Sequence, residues 1–96
     1  MREIQVAVSE KGHRVFRNNQ GVCKTEDGRY IRYGVCNPGG ADLLGWTSGG
    51  RFLAIEVKGP KGRLTKEQDA FLTAVNEAGG IGICAKTIDD VRERLG

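Results

Sequence analysis

The sequence predicts an α/β fold, a mixed β-sheet flanked by helices, and three observations lead there. Short apolar, β-prone runs are punctuated by glycine pairs. The stretch from Asp42 to Lys58 reads as an antiparallel hairpin turned at Ser48-Gly49-Gly50. A capped helix after that hairpin leads into one more buried run, Ile81–Ala85, which therefore returns parallel to the Glu56 strand through a right-handed crossover.

The elements follow in order. Ile4, Val6 and Val8 predict a first helix up to Lys11-Gly12, despite β-branched residues that favour helix weakly. Val15 to Asn18 and Gly21 to Thr25 read as strands, and Glu26-Asp27-Gly28-Arg29 turns the chain into a third, Tyr30 to Val35. Thr65-Lys66-Glu67-Gln68 has the form of a capping box, a threonine N-cap with glutamine three residues on. The helix it opens carries Gln68, Phe71, Leu72, Val75 and Ala78 on one stripe and stops at Gly79-Gly80. Thr87 caps a last helix through Leu95, with Asp89 and Asp90 favourably placed in its first turn.

Chemistry concentrates in the 42–58 hairpin. Side chains of a strand alternate faces, so Phe52, Ala54, Glu56 and Lys58 share one side and Leu53, Ile55 and Val57 the other. Glu56 and Lys58 then stand side by side, their Cα atoms roughly 6.6 Å apart. A two-residue Gly49-Gly50 turn would set Asp42 across from Val57, pointing away from Glu56. A three-residue Ser48-Gly49-Gly50 loop with a left-handed glycine sets Asp42 directly across from Glu56, and this is the expected register.

Two carboxylates and an amine are what metal-assisted phosphodiester cleavage requires. Carboxylate oxygens suit Mg²⁺ or Mn²⁺, which polarise a phosphoryl oxygen and make water a better nucleophile. Three roles are open to Lys58: orienting that water, stabilising charge on the phosphorane, or acting as base. Alone, the D-x13-E-x-K pattern is common by chance, and an ordinary hairpin with a solvated Glu-Lys pair fits it too. Its flanks add weight: Lys58, Lys61, Arg63 and Lys66 place four cations in nine residues without an acid, a grip suited to phosphates flanking a cut. Gln68 is either a satisfied core amide or a group that looks into the site from the first helical turn. Arg14, Arg17, Arg29, Arg32 and Arg51 are candidates to extend the basic patch.

Asp42 within Pro38-Gly39-Gly40-Ala41-Asp42-Leu43-Leu44, then Ile55-Glu56-Val57-Lys58, then Gly62-Arg63-Leu64-Thr65-Lys66-Glu67-Gln68, resemble the virus-type replication-repair nuclease (VRR-NUC) domain of the PD-(D/E)XK, restriction-endonuclease-like superfamily. The likeness extends to the helix start Glu3-Ile4-Gln5 and to Val15-Phe16-Arg17-Asn18-Asn19, and so covers nearly the whole chain. It implies a restriction-endonuclease-like core, metal ligation by Asp42, Glu56 and the Val57 carbonyl, and Lys58 as catalytic lysine. It also implies that Glu3 approaches the metal and that Gln68 belongs to the catalytic group. Ala41 stands where the superfamily's name has proline; that proline shapes backbone and binds nothing, so the chemistry is untouched.

Composition agrees with one compact domain over residues 1–96, without room for a separate DNA-reading domain. A net charge of +3 favours nucleic acid mildly and requires the cations to be clustered if they are to matter. Cys23, Cys36 and Cys84 are odd in number and lack a Cys-x-x-Cys pair, so they read as reduced thiols of an intracellular protein. His13 is the single histidine, which excludes a His-based triad or His-rich metal site within one chain; it is expected on the surface after the first helix. No signal peptide or membrane-spanning run is present, so a soluble, cytoplasmic protein is expected.

The expected activity is divalent-metal-dependent DNA endonuclease action, with Mg²⁺ or Mn²⁺ as cofactor. One site cuts one strand, so paired incisions need a second copy, and two-fold dimers are the commonest assemblies. The resemblance implies Holliday-junction-resolvase-like action on branched DNA as a homodimer. A flap- or end-directed nuclease of the same fold is the alternative. A non-catalytic nucleic-acid-binding module has no need of Asp42, Glu56 and Lys58 together.

Overall fold

The computed structural model describes residues 1–95. Helix α1 (Arg2–Glu10) is followed by β1 (Arg14–Arg17), β2 (Gly21–Lys24), β3 (Tyr30–Tyr33), β4 (Leu43–Trp46) and β5 (Phe52–Val57). Then come α2 (Lys66–Glu77), β6 (Ile81–Ala85) and α3 (Ile88–Leu95). Four strands form a mixed sheet in the order β1-β4-β5-β6, antiparallel except for the parallel pair β5-β6. The α/β class and the parallel return of β6 are those expected from the sequence. β2 and β3 stand apart as a two-stranded antiparallel sheet of their own.

Strand alternation sorts the core into two layers. On one face, Leu43, Leu53, Ile55, Ile81 and Ile83 pack with Ile4 and Val8 of α1 and Val91 of α3. Leu43, Leu53 and Ile55 are fully buried, each worth roughly 1.5–3 kcal/mol of burial. On the other face, Ala41 and Ala54 meet Leu72 and Val75 of α2, with Leu44, Leu64, Phe71 and Cys84 around them. The N-terminal ends of α2 and α3 are satisfied by side chains. Thr65 Oγ1 accepts from the Gln68 amide at 3.1 Å and Gln68 Oε1 accepts from the Thr65 amide at 2.9 Å, closing the capping box of α2. At α3, Thr87 Oγ1 accepts from the Asp90 amide, and Asp90 Oδ2 accepts from the amides of Lys86 and Thr87. Those contacts hold the Asp90 carboxyl below its usual range.

The β4-β5 turn decides how the site assembles. Thr47 N–H donates to Arg51 O at 2.8 Å, so the loop between them is Ser48-Gly49-Gly50. Gly50 takes φ +84°, a backbone conformation that an L side chain disfavours, and its amide donates to Thr47 O. Thr47 Oγ1 accepts from the Arg51 amide at 3.0 Å. His13 corrects the surface reading: only 8% exposed, its Nδ1 accepts from the Ser48 amide at 2.9 Å, tying the end of α1 to this turn.

Candidate active site

The pairing of Leu43 with Ile55, carried one residue outward, places Asp42 beside Glu56. Both strands end here, and each carboxylate grips the other strand's backbone. The Asp42 amide donates to Glu56 Oε1 at 3.0 Å, and the Val57 amide donates to Asp42 Oδ2 at 2.9 Å. Lys58 lies across the second Glu56 oxygen, with Nζ 3.5 Å from Oε2. The structure thus brings Asp42, Glu56 and Lys58 together on the α2 side of the sheet, since Glu56 shares the parity of Ala54, while Val57 joins them through its backbone and turns its side chain to the other face.

Electrostatics at this point are unfavourable to a second negative charge. Glu56 is 3% exposed, and its pKa is pushed up to about 7. Burial is the largest cause, followed by the side chain of Asp42 through its hydrogen-bonding and its charge, while the Asp42 backbone N–H and, after it, the Lys58 ammonium pull the other way. An acid raised into the neutral range beside a second carboxylate is a site with a shortage of positive charge.

The segment that delivers Asp42 is fastened by amide side chains that sequence reasoning passed over. The Asn18 amide donates to Asp42 O at 2.7 Å, while Asn18 Nδ2 donates to Val35 O and Ala41 O. Gln20 Nε2 donates to Gly40 O at 2.7 Å. A Cβ on Gly40 would stand 2.0 Å from Val35 O, so only glycine permits this close approach two residues before Asp42. The run Asn18-Asn19-Gln20 was the available signal, amides clustered in an otherwise plain loop.

Other expected residues lie at graded distances from the pair. Gln68 is half-buried and uses Oε1 for the capping box; with Thr65 it lines a groove of about 360 Å³ that runs to Gln20, Gly39 and Gly40. Lys61, Arg63 and Lys66 are exposed and enter no ion pair among the described residues. Their loop is pinned by Lys86 Nζ on Pro60 O at 3.4 Å and by the Gly62 amide on Gly59 O. Arg51 is committed elsewhere, with Nε on Gly79 O at 2.8 Å at the far end of β5.

Glu3 is not brought to the pair. It sits in the first turn of α1, whose Ile4 and Val8 pack on the opposite face of the sheet. Its side chain is 76% exposed, and its carboxylate lies 3.5 Å from the terminal ammonium. Contacts with the local backbone and that ammonium hold its pKa below the usual value. No three His, Cys, Asp or Glu side chains cluster as a metal site among the described residues, so a carboxylate pair is what the structure offers.

A cleft of about 530 Å³ is lined by Phe52, Phe71, Val75 and Gly79, at the end of β5 remote from Glu56. All three cysteines are free, and no described helix is long and apolar enough to cross a membrane. Compared with known protein families, residues 7–86 match the model of the VRR-NUC domain. Neither a curated protein nor a solved structure gives a match.

Proposed function

We propose, from the premise that the chain belongs to the VRR-NUC family and is a nuclease of the restriction-endonuclease-like kind, that it hydrolyses DNA phosphodiester bonds with a divalent metal held at Asp42 and Glu56. The observation that carries this reading is the interlocked carboxylate pair with Lys58 on its rim. Nucleases of this kind generally use divalent metals, and the donor set fits. Both side chains offer hard oxygens, the choice of Mg²⁺ or Mn²⁺, and the raised pKa of Glu56 marks a place where a cation relieves repulsion.

The residues that would hold the ion are Asp42, Glu56 and the Val57 carbonyl, and a bound ion supplies Lewis acidity toward the phosphoryl oxygen and water. The rest is the work of the chain itself. Lys58 keeps an ammonium beside the reacting phosphate, where charge develops. Lys61, Arg63 and Lys66 take the phosphates on either side of the cut and fix the register of the strand. Gln68, at the first turn of α2, orients the nucleic acid or the attacking water from the Thr65 side of the groove.

The finer proposal is a homodimer that acts on branched DNA in the manner of a Holliday-junction resolvase. Supporting self-association, the β1-β4 half of the sheet carries Phe16, Trp46 and Phe52, each about half exposed, on the side where α2 covers only β5 and β6. Phe16 and Trp46 touch, their ring centroids 5.7 Å apart. A bare aromatic sheet face is the kind of surface that a second copy buries. Light scattering at micromolar concentration should return twice the chain mass; a monomer would remove the dimer and leave the chemistry standing.

Labelled four-way junction, flap, single-strand and duplex substrates, each with Mg²⁺, Mn²⁺ or EDTA, test reaction and substrate together. Cleavage in either metal and none in EDTA is expected, with the junction cut fastest. A preference for flaps or ends would replace the branched-DNA proposal with an end-directed nuclease.

A further inference from the structure

Among the described residues, the β2-β3 hairpin lies outside both core layers and packs extensively only against itself. An isolated two-stranded hairpin is marginal in water, so its sequence is under no pressure from the core and is free to answer to a partner. Its two faces differ. Val22 stands opposite Arg32 and Lys24 opposite Tyr30, so these four side chains share one face. Lys24 Nζ lies 5.9 Å from the centre of the Tyr30 ring, and Lys24, Tyr30 and Arg32 are all exposed. The other face carries Cys23, Ile31 and Tyr33, without a charge.

The hairpin's acids are kept off the cationic face. Glu26 and Asp27 sit in the tip, where Asp27 pairs with Arg29 at 2.9 Å and hydrogen-bonds Thr25. The tip is closed by the Thr25 amide on Arg29 O at 2.7 Å, with Gly28 at φ +87°.

What makes the cationic face relevant is where the hairpin is rooted. Asn37 Nδ2 donates to both Gly21 O and Tyr33 O at 2.8 Å, clamping the base of the ribbon. Asn18 and Gln20 then join that base to Gly40 and Ala41, the residues that lead into Asp42. Gly21 and Val22 form one wall of the groove whose other wall is Thr65 and Gln68. The base of the ribbon is thus hydrogen-bonded to the segment that carries Asp42, while the ribbon itself lies outside both core layers.

We infer that the β2-β3 hairpin is a nucleic-acid-binding arm, its Lys24-Tyr30-Arg32 face lying in the major groove of the duplex that flanks the cut. The inference rests on the nuclease reading and extends it to a substrate-gripping element. A two-stranded ribbon is of a size that the major groove of B-form DNA admits. Lys24 and Arg32 neutralise phosphates on the groove's rim, and Tyr30 packs its ring beside them.

The test is binding of a fluorescein-labelled duplex in Ca²⁺, followed by anisotropy across a salt series, for wild type, Lys24→Ala/Arg32→Ala, Tyr30→Ala and Cys23→Ser. All the replaced side chains are exposed, and unchanged melting curves would verify folding. The double variant should bind about tenfold to a hundredfold more weakly at 0.1 M salt, with a log-log salt slope shallower by about two, because two phosphates are no longer neutralised. Tyr30→Ala should weaken binding with little change of slope, and Cys23→Ser, on the opposite face, should bind as wild type does. Wild-type affinity and slope in the double variant would overturn the inference while leaving the nuclease reading intact. So would a variant that keeps its DNA affinity but changes mass in light scattering, which would make the hairpin a protein-docking arm. A wild-type protein that holds no duplex at all would also overturn the arm, whereas the nuclease reading falls only if no substrate is cleaved in Mg²⁺ or Mn²⁺.

Discussion

The imidazole Nδ1 of His13 accepts the backbone N–H of Ser48 at 2.9 Å, joining the end of α1 to the turn that sets the β4-β5 register. A one-residue slip of that register would move Asp42 to the opposite face from Glu56. His13 therefore serves the site from the far end of the hairpin, without touching it.

Replacing His13 with alanine leaves a backbone amide without its partner and a gap under the turn. Unfolding in urea should show a loss of about 1–3 kcal/mol. Cleavage should fall only as far as the folded population falls, because the imidazole takes no part in the chemistry.

Glu56 gives the metal-free protein a defined pH dependence. Its pKa rises from the ordinary value of 4.5 to about 7 on folding. The folded state therefore binds the proton more tightly than the unfolded one, and stability is fully present below pH 4.5 and lost as pH rises through 7. The melting temperature in EDTA should fall between about pH 5 and 7.5, corresponding to a loss of up to about 3 kcal/mol. Glu56→Gln should flatten that fall. Mg²⁺ should raise the melting temperature at about pH 7.5 and have little effect at about pH 5, since it binds the ionised pair.

Lys58→Ala tests the ammonium at the rim of the pair. Removing a positive group aimed at developing charge should lower kcat by about 10²–10³-fold, while binding of DNA in Ca²⁺ changes little. Lys58→Arg should recover only part of the rate, because a planar guanidinium does not place its charge where a compact ammonium does.

Gln68 can be separated into cap and catalytic partner. Gln68→Ala should cost about 0.5–1 kcal/mol through the opened capping box. Gln68→Glu keeps a side chain that can cap but adds a negative charge on the phosphate side of the groove. Near-wild-type stability with cleavage reduced at least about tenfold is the expected result; full activity would leave Gln68 a cap alone.

Much of this arrangement is legible in the sequence because the residues involved obey local rules. Gly50 is free to take the left-handed conformation that a three-residue turn requires, so the register of Asp42 against Glu56 can be worked out from Ser48-Gly49-Gly50. Thr65 and Gln68 announce the start of α2 by a pattern four residues long. Contacts made at long range are not written in such patterns. His13 meets Ser48 across 35 residues and Asn18 meets Ala41 across 23, and nothing beside either residue marks its partner. The same limit explains Glu3, whose helix can be expected from the local sequence but whose sheet face depends on packing of Ile4 and Val8. It also explains β2 and β3, which read as ordinary strands although they join no larger sheet.

The most direct measurement is single-turnover cleavage of labelled DNA in Mg²⁺ by wild type and Asp42→Ala, each shown to be folded and to bind the same DNA in Ca²⁺. Wild type should cut, with activity abolished by EDTA, and Asp42→Ala should bind without cutting. Mg²⁺-dependent cleavage that survives in Asp42→Ala would contradict the assignment of the Asp42–Glu56 pair as the metal-binding centre.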